Sequence, residues 1–225
     1  MQEPVYNFYA GPGKLPSLVL KRIQQELDDY RGTGMSVMEI SHRAEPILDL
    51  IQRTQSKFRR MLNLEEDDQV LFLQGGGTLQ FSMIPINLSS NGDKIDYVDT
   101  GYWAKKAIKA AKELKRDVKI AGTSYTGIPE NLHIRDDAKY LHLCSNNTVM
   151  GTQWFEFPKT DTPIVADMSS DLLSRSISAQ DFGLIYAHAQ KTLGAAGVTV
   201  VILPKKTIET LQPVNIDFLN YETHI

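Results

Sequence analysis

One cysteine, Cys144, occurs in 225 residues, so no disulfide can form within the chain and a thiolate metal site is excluded. The five histidines are dispersed, leaving no metal-ligand spacing, and no metal is expected. Long apolar runs are also lacking; none approaches the roughly 18 residues that a membrane span requires. Positive charge is not in excess: 24 Lys and Arg stand against 27 Asp and Glu, for a net charge of −3. That balance gives neither nucleic acid nor an anionic membrane an electrostatic hold. The start, Met1-Gln2-Glu3-Pro4, lacks the basic and then apolar run of a signal peptide. Together with the lone cysteine, this leads to the expectation of a cytoplasmic protein. Internal repeats, low-complexity tracts and linkers are not visible.

A hydrophobic content of 42% and a charged content of 23% fit one globular domain with a sizeable core. Residues 7–13 hold two glycines and a proline and read as an irregular entry. Pro16 opens a helix with Leu18, Leu20, Ile23 and Leu27 on one side. After a break at Arg31-Gly32-Thr33-Gly34, residues 36–43 read as loop. Pro46 suits the first turn of a longer helix, in which Ile47, Leu50, Ile51, Thr54 and Phe58 recur at helical spacing.

From there the pattern alternates. Strands are expected at 69–73, 94–98, 117–121, 139–143, 162–166, 184–189 and 198–203. Helices are expected from near Thr78 and from about 103 to 114. This is an α/β fold with a mainly parallel sheet of seven strands and flanking helices. Residues 215–225 show neither a capped helix nor a strand and resemble a chain stopped in mid-fold.

In open α/β sheets ligands bind beyond the carboxyl ends of strands. Candidate residues fall at five such exits: Gly77 with Thr78, Trp103, Thr148, Asp167 and Lys191. Lys191 ends an apolar strand and enters the small-residue turn Thr192-Leu193-Gly194-Ala195-Ala196-Gly197. Burial there would disfavour the ammonium and leave an amine able to attack a carbonyl, which suggests covalently held pyridoxal phosphate.

Gly75-Gly76-Gly77-Thr78 lies between strand and helix, where glycines, free N–H groups and the helix dipole can cradle a phosphate; a plain tight turn is the alternative. It lacks the G-x-G-x-x-G spacing, and Gln190-Lys191-Thr192 lacks a P-loop glycine. Trp103 can stack on a planar ring or be an ordinary tryptophan. Thr148 can donate to a ring substituent or serve a turn. Asp167 can partner a protonated pyridine nitrogen or cap Ser169-Ser170-Asp171. Gln190 can bind phosphate, whereas His188 reads better as a core histidine. His42 and Arg43 can bind a carboxylate or phosphate, or be solvated surface charge.

Several segments occur together and in order: Asn7-Phe8-Tyr9-Ala10-Gly11-Pro12, Ser36-Val37-Met38-Glu39-Ile40-Ser41-His42-Arg43, Gly75-Gly76-Gly77, Asp99-Thr100-Gly101-Tyr102-Trp103-Ala104, Ala166-Asp167-Met168-Ser169-Ser170 and Ala189-Gln190-Lys191. This set closely resembles the phosphoserine aminotransferases, of the class V group of fold-type I pyridoxal-phosphate enzymes. The resemblance implies the large domain of that fold over residues 16–225, with residues 1–15 contributing to the active site and to a small C-terminal domain that is missing here. It implies Lys191 as the Schiff-base lysine, Asp167 as the pyridinium partner, Trp103 on the ring face and Thr148 near the ring hydroxyl. Gly77, Thr78 and Gln190 would hold the phosphate. Arg43, helped by His42 and the backbone near Ala10, would bind the substrate.

The implied reaction is a ping-pong exchange between glutamate and 3-phosphohydroxypyruvate, giving phosphoserine and 2-oxoglutarate, with a phosphorylated hydroxythreonine as a related substrate. A homodimer is implied as well. Family chains continue with an Asn-Thr-Pro-Pro loop and further substrate-binding residues, so the 225-residue chain is expected to be weakly active or inactive. Other readings are an alanine–glyoxylate-type aminotransferase, a cysteine desulfurase, or a non-catalytic cofactor-binding remnant. The Ser41-His42-Arg43 and Gly101-Tyr102-Trp103 segments argue against the first two.

Overall fold

The computed structural model describes residues 5–225; residues 1–4, on which the reading of the leader rests, lie outside them. In chain order the strands are β1 (Gln69–Leu73), β2 (Lys94–Asp99), β3 (Asp117–Thr123), β4 (Leu141–Cys144), β5 (Asn146–Asn147), β6 (Thr152–Gln153), β7 (Ile164–Asp167), β8 (Leu184–His188) and β9 (Thr199–Leu203). β5 and β6 pair as a short ribbon. The other seven form one sheet in the order β1-β9-β8-β7-β4-β2-β3.

The pairs β2–β3, β2–β4, β4–β7 and β7–β8 are parallel. β9 alone runs against its neighbours, β1 and β8. It follows β8 through a turn, and a turn without a helical crossover can return a chain only antiparallel. The expected seven-stranded, mainly parallel sheet is therefore present.

Both faces of the sheet are covered, which is why its strands read as unbroken apolar runs. Ile185 and Ala187 of β8 pack with Phe58, Leu62 and Trp154 on one side, while Leu184 and Tyr186 pack with Phe81, Ile84 and Ile108 on the other. The helices are α1 (Ser17–Glu26), α2 (Glu45–Leu62), α3 (Gly76–Leu88), α4 (Tyr102–Glu113) and the short α5 (Lys205–Ile208). Pro46 sits in the first turn of α2, Phe58 and Leu62 are its buried residues, and Asn63 closes it in the left-handed conformation at φ 53°.

α1 forms behind Pro16 as expected; none of its residues is buried, and Leu18 is 77% exposed. Helical periodicity is local, whereas burial needs a facing surface. The tail, expected to be irregular, folds into two 3-10 turns, Asp217–Leu219 and Tyr221–His224. Tyr221 is fully buried against α3; its hydroxyl donates to Gln80 Oε1 at 2.6 Å and its backbone N–H to Asn87 Oδ1 at 2.9 Å. Gln80 and Asn87 are buried polar residues, so these bonds supply partners that water cannot.

Candidate active site

Because β1, β2, β4, β7 and β8 run the same way, their carboxyl ends share one edge of the sheet. A cavity of about 400 Å³ opens there. Gly77, Thr78, Trp103, Thr148, Asp167, Gln190 and Lys191 all line it, so five distant stretches of sequence meet at one place. Ala10, His42 and Arg43 are exposed and are not among its lining residues. Ala10 is adjacent nonetheless: a Cβ on Gly11 would lie 3.4 Å from Lys191 Cε, and Gly13 N–H donates to Gln190 O at 2.7 Å. His42 and Arg43 occupy the turn before α2.

Lys191 is half-buried rather than buried. Its Nζ donates to Thr148 Oγ1 at 2.8 Å, which joins the exits of β8 and β4. Thr148 is placed by the neighbouring turn, where Asn147 Nδ2 donates to the Thr100 carbonyl at 2.7 Å. The same bond steadies the start of α4. Gly101, at φ 133°, makes room for it, since a Cβ there would lie 2.7 Å from Asn147 Nδ2. Trp103 follows in the first turn of α4, half-buried against the core, with Tyr102 edge-on at 4.9 Å.

Asp167 ends β7 and is buried. It accepts from Ser169 N–H at 3.0 Å and from Ser169 Oγ at 2.6 Å, so the capping role and the cavity role coexist. Burial pushes its carboxyl up, while these donors and the Tyr186 hydroxyl pull it back. A buried carboxylate held above its ordinary range is one that a cation would relieve. Behind it, Tyr186 Oη and His142 Nε2 lie 3.0 Å apart. Which of the two donates follows the imidazole tautomer. His142 stacks on Tyr97 at 4.8 Å, and burial lowers its pKa to about 3, so its ring is neutral.

The glycine loop turns into α3 through positive φ at Gly75 and Gly76, 83° and 66°. A Cβ on Gly75 would lie 2.4 Å from Leu79 Cδ2, which only glycine avoids. α3 thus begins at Gly76, slightly before the expected Thr78, and its first residues, Gly76, Gly77 and Thr78, line the cavity.

Sequence reasoning missed several lining residues: Phe81, Asn146, Ser170 and His188. His188 is the informative case. Its sequence context suggests a core histidine, but that description fits His142; His188 is only partly buried and lines the cavity. The signal available was its place near the end of the strand that delivers Lys191. No group of three His, Cys, Asp or Glu residues able to hold a metal occurs among the described residues. Nor is any helix among them long and apolar enough to cross a membrane.

The sequence pattern of the family described as "Aminotransferase class-V" matches residues 5–217. A phosphoserine aminotransferase of Desulfatibacillum aliphaticivorans is 46% identical over 214 residues, covering 93% of this chain and 59% of its own length. The structure of the phosphoserine aminotransferase from Bacillus circulans subsp. alkalophilus superposes with a TM-score of 0.93 at 42% identity, over 99% of this chain and 63% of that one. The pyridoxal-phosphate-bound phosphoserine aminotransferase of Trichomonas vaginalis superposes with a TM-score of 0.91 at 34% identity, over 98% and 64%. The chain spans about three fifths of the length of these relatives. With the family pattern covering nearly all of it, the chain belongs to the class-V aminotransferases.

Proposed function

We propose that this chain forms the cofactor site of a pyridoxal-phosphate-dependent transaminase that exchanges the amino group of glutamate with 3-phosphohydroxypyruvate, giving O-phospho-L-serine and 2-oxoglutarate. The observation that carries the reading is the meeting of Lys191, Asp167, Trp103, Thr148 and the glycine loop around one cavity. Resemblance to the named relatives supports the substrate pair. A phosphorylated hydroxythreonine is a second substrate of the same chemistry. A cytoplasmic location accords with the single, buried, unpaired Cys144.

The residues fit the cofactor. Gly77, Thr78 and Gln190 supply donors for its phosphate, and the raised Asp167 carboxyl offers a charge partner for a ring nitrogen. Pyridoxal phosphate, when bound, supplies an aldehyde for amines and a protonated ring that accepts the electron pair left at the substrate's Cα. Asp167 holds the ring-nitrogen proton, and Ser169 and Tyr186 orient its carboxylate. Trp103, at the cavity wall, would exclude water from the bound ring. Lys191 Nζ would be the amine that holds the cofactor in the cavity and, once free, the base that moves the proton at the substrate's Cα. Thr148 Oγ1 holds that nitrogen on the correct side. Arg43 and His42, exposed in the turn before α2, and the backbone near Ala10 are the groups this reading assigns to the substrate's anionic groups.

A homodimer is part of this reading. An apolar groove of about 400 Å³ between α2 and the turn after Lys191 is lined by Leu50, Ile51, Phe58, Phe72, Leu193 and Val198. It is continuous with the turn that leaves the site, and a second copy of the chain would cover it; sedimentation of wild type against Leu193→Asp tests this.

The function is tested by loading the chain with pyridoxal phosphate, reducing with borohydride, and mapping the adduct by mass spectrometry. An adduct at Lys191 is expected, with loss of the visible band in Lys191→Ala. Glutamate should bleach the band and 3-phosphohydroxypyruvate should restore it. An adduct elsewhere, or none, overturns the cofactor reading; no response to either substrate from a chain extended to the relatives' length overturns the substrate reading.

A further inference from the structure

The phosphate cradle read from the sequence contains only neutral donors: backbone N–H groups, Thr78 and Gln190. A phosphate monoester carries close to two negative charges at neutral pH. Of the side chains lining the cavity, only Lys191 and His188 can carry positive charge. Lys191 is directed elsewhere, its Nζ bonded to Thr148 on the β4 side.

His188 lies against the glycine loop. A Cβ built on Gly76 would sit 3.6 Å from His188 Nδ1 and 3.7 Å from Cε1, so that edge of the ring faces the turn into α3. A Cβ on Gly77 would be 4.0 Å from His188 Cβ. The backbone that carries the ring is pinned. His188 N–H donates to Ser169 Oγ at 3.1 Å, and Ala189 N–H donates to the Val198 carbonyl at 2.8 Å. Yet His188 Nδ1 is buried and has no hydrogen-bond partner among the described residues. Leaving such a group unpaired is costly, and at the wall of a cavity a ligand can supply the partner. His142 Nδ1 is likewise buried without a partner among the described residues, but His142 lies in the core and does not line the cavity, whereas His188 does.

We propose that His188 is a phosphate-binding residue of this site, donating a ring N–H to the anion held at the start of α3. The inference rests on the proposed cofactor and deepens it. In this chain the imidazole supplies the strong donor that the glycines, Thr78 and Gln190 do not.

The experiment compares pyridoxal 5′-phosphate with pyridoxal, which lacks the phosphate, in equilibrium titrations of the cofactor-free 225-residue chain. His188→Ala is expected to weaken the phosphorylated ligand about ten- to a hundredfold and to leave pyridoxal unchanged, the range for a hydrogen bond to a charged group. His188→Gln, which keeps a donor, should recover part of the loss. In wild type, the ¹⁵N resonances of the His188 ring should shift on loading with pyridoxal 5′-phosphate and not with pyridoxal. Equal weakening of both ligands, or of neither, overturns the proposal while leaving the cofactor reading intact. Should His188→Ala fail to fold, unmoved wild-type ring resonances overturn it in the same way. Failure of wild type to bind pyridoxal 5′-phosphate removes both.

Discussion

Lys191 Nζ donates to Thr148 Oγ1 at 2.8 Å, a bond between residues 43 apart in sequence that ties the exit of β8 to the exit of β4. Between these strands in the sheet lies β7, which ends in Asp167. The amine, its hydroxyl partner and the buried carboxylate thus occupy three consecutive strand ends.

Thr148→Val keeps the shape of the side chain and removes its oxygen, so the Lys191 amine loses its acceptor. One such bond contributes about 1 kcal/mol, and capture of pyridoxal phosphate is expected to slow by roughly three- to tenfold. Stopped-flow absorbance of the rising visible band measures this; an unchanged rate counts against a positioning role for Thr148.

Asp167 is expected to oppose stability where it serves function. Burial raises its carboxyl in the fold. A folded-state value above the unfolded one gives stability that is present below the unfolded pKa and lost as pH rises through the folded one. At pH 7 the buried charge therefore weighs against the cofactor-free protein. Asp167→Asn should raise its thermal midpoint there and slow the glutamate half-reaction by at least about a hundredfold. A lower midpoint in calorimetry would show that the Ser169 and Tyr186 bonds outweigh desolvation.

His142 carries the opposite pH signature. Its folded-state pKa, lowered to about 3 from 6.5, means that stability is full above the ordinary histidine range and is lost as pH falls toward the folded value. His142→Asn removes this titration. Between pH 7 and 4.5 the variant is expected to lose about 2 kcal/mol less than wild type. Urea unfolding at the two pH values provides the comparison, and equal losses would show that the ring protonates in the fold without cost.

Gly101→Ala should damage fold and site together. The φ of 133° is a region where side chains are strained, and the new Cβ would meet Asn147 Nδ2 at 2.7 Å and Met150 Cγ at 2.8 Å. A loss of about 2–3 kcal/mol is expected. Because Asn147 precedes Thr148 and Gly101 precedes Trp103 by two residues, weaker cofactor binding should accompany it, measured by dialysis of the loaded protein.

Tyr221→Phe tests the docked tail. The change deletes the donor to Gln80 Oε1 and leaves that oxygen buried without a partner. Such a group costs about 1–3 kcal/mol. Urea midpoints should fall accordingly, and no change would mean that Gln80 finds another donor.

Element type was legible along most of this chain because the causes are local. Pro16 and Pro46 open helices, Gly75 and Gly76 turn β1 into α3, and apolar runs such as 184–189 mark strands covered on both faces. Seven of the ten candidate residues line the cavity for a related reason: a parallel sheet sends its strand ends to one edge, so residues just beyond strands converge without any sequence contact. Three things depended on tertiary structure. The leucine stripe of α1 is apolar in either setting, and only the fold shows that none of it is buried. The tail has no periodicity of its own and takes its order from Gln80 and Asn87, about 130 to 140 residues upstream. His142 and His188 look alike as buried-strand histidines, and only the packing around each ring separates one enclosed in the core from one that lines the cavity with a nitrogen facing the glycine loop. Local chemistry determines what each segment can become, while the partners of a polar atom are set by residues that only the folded chain brings near.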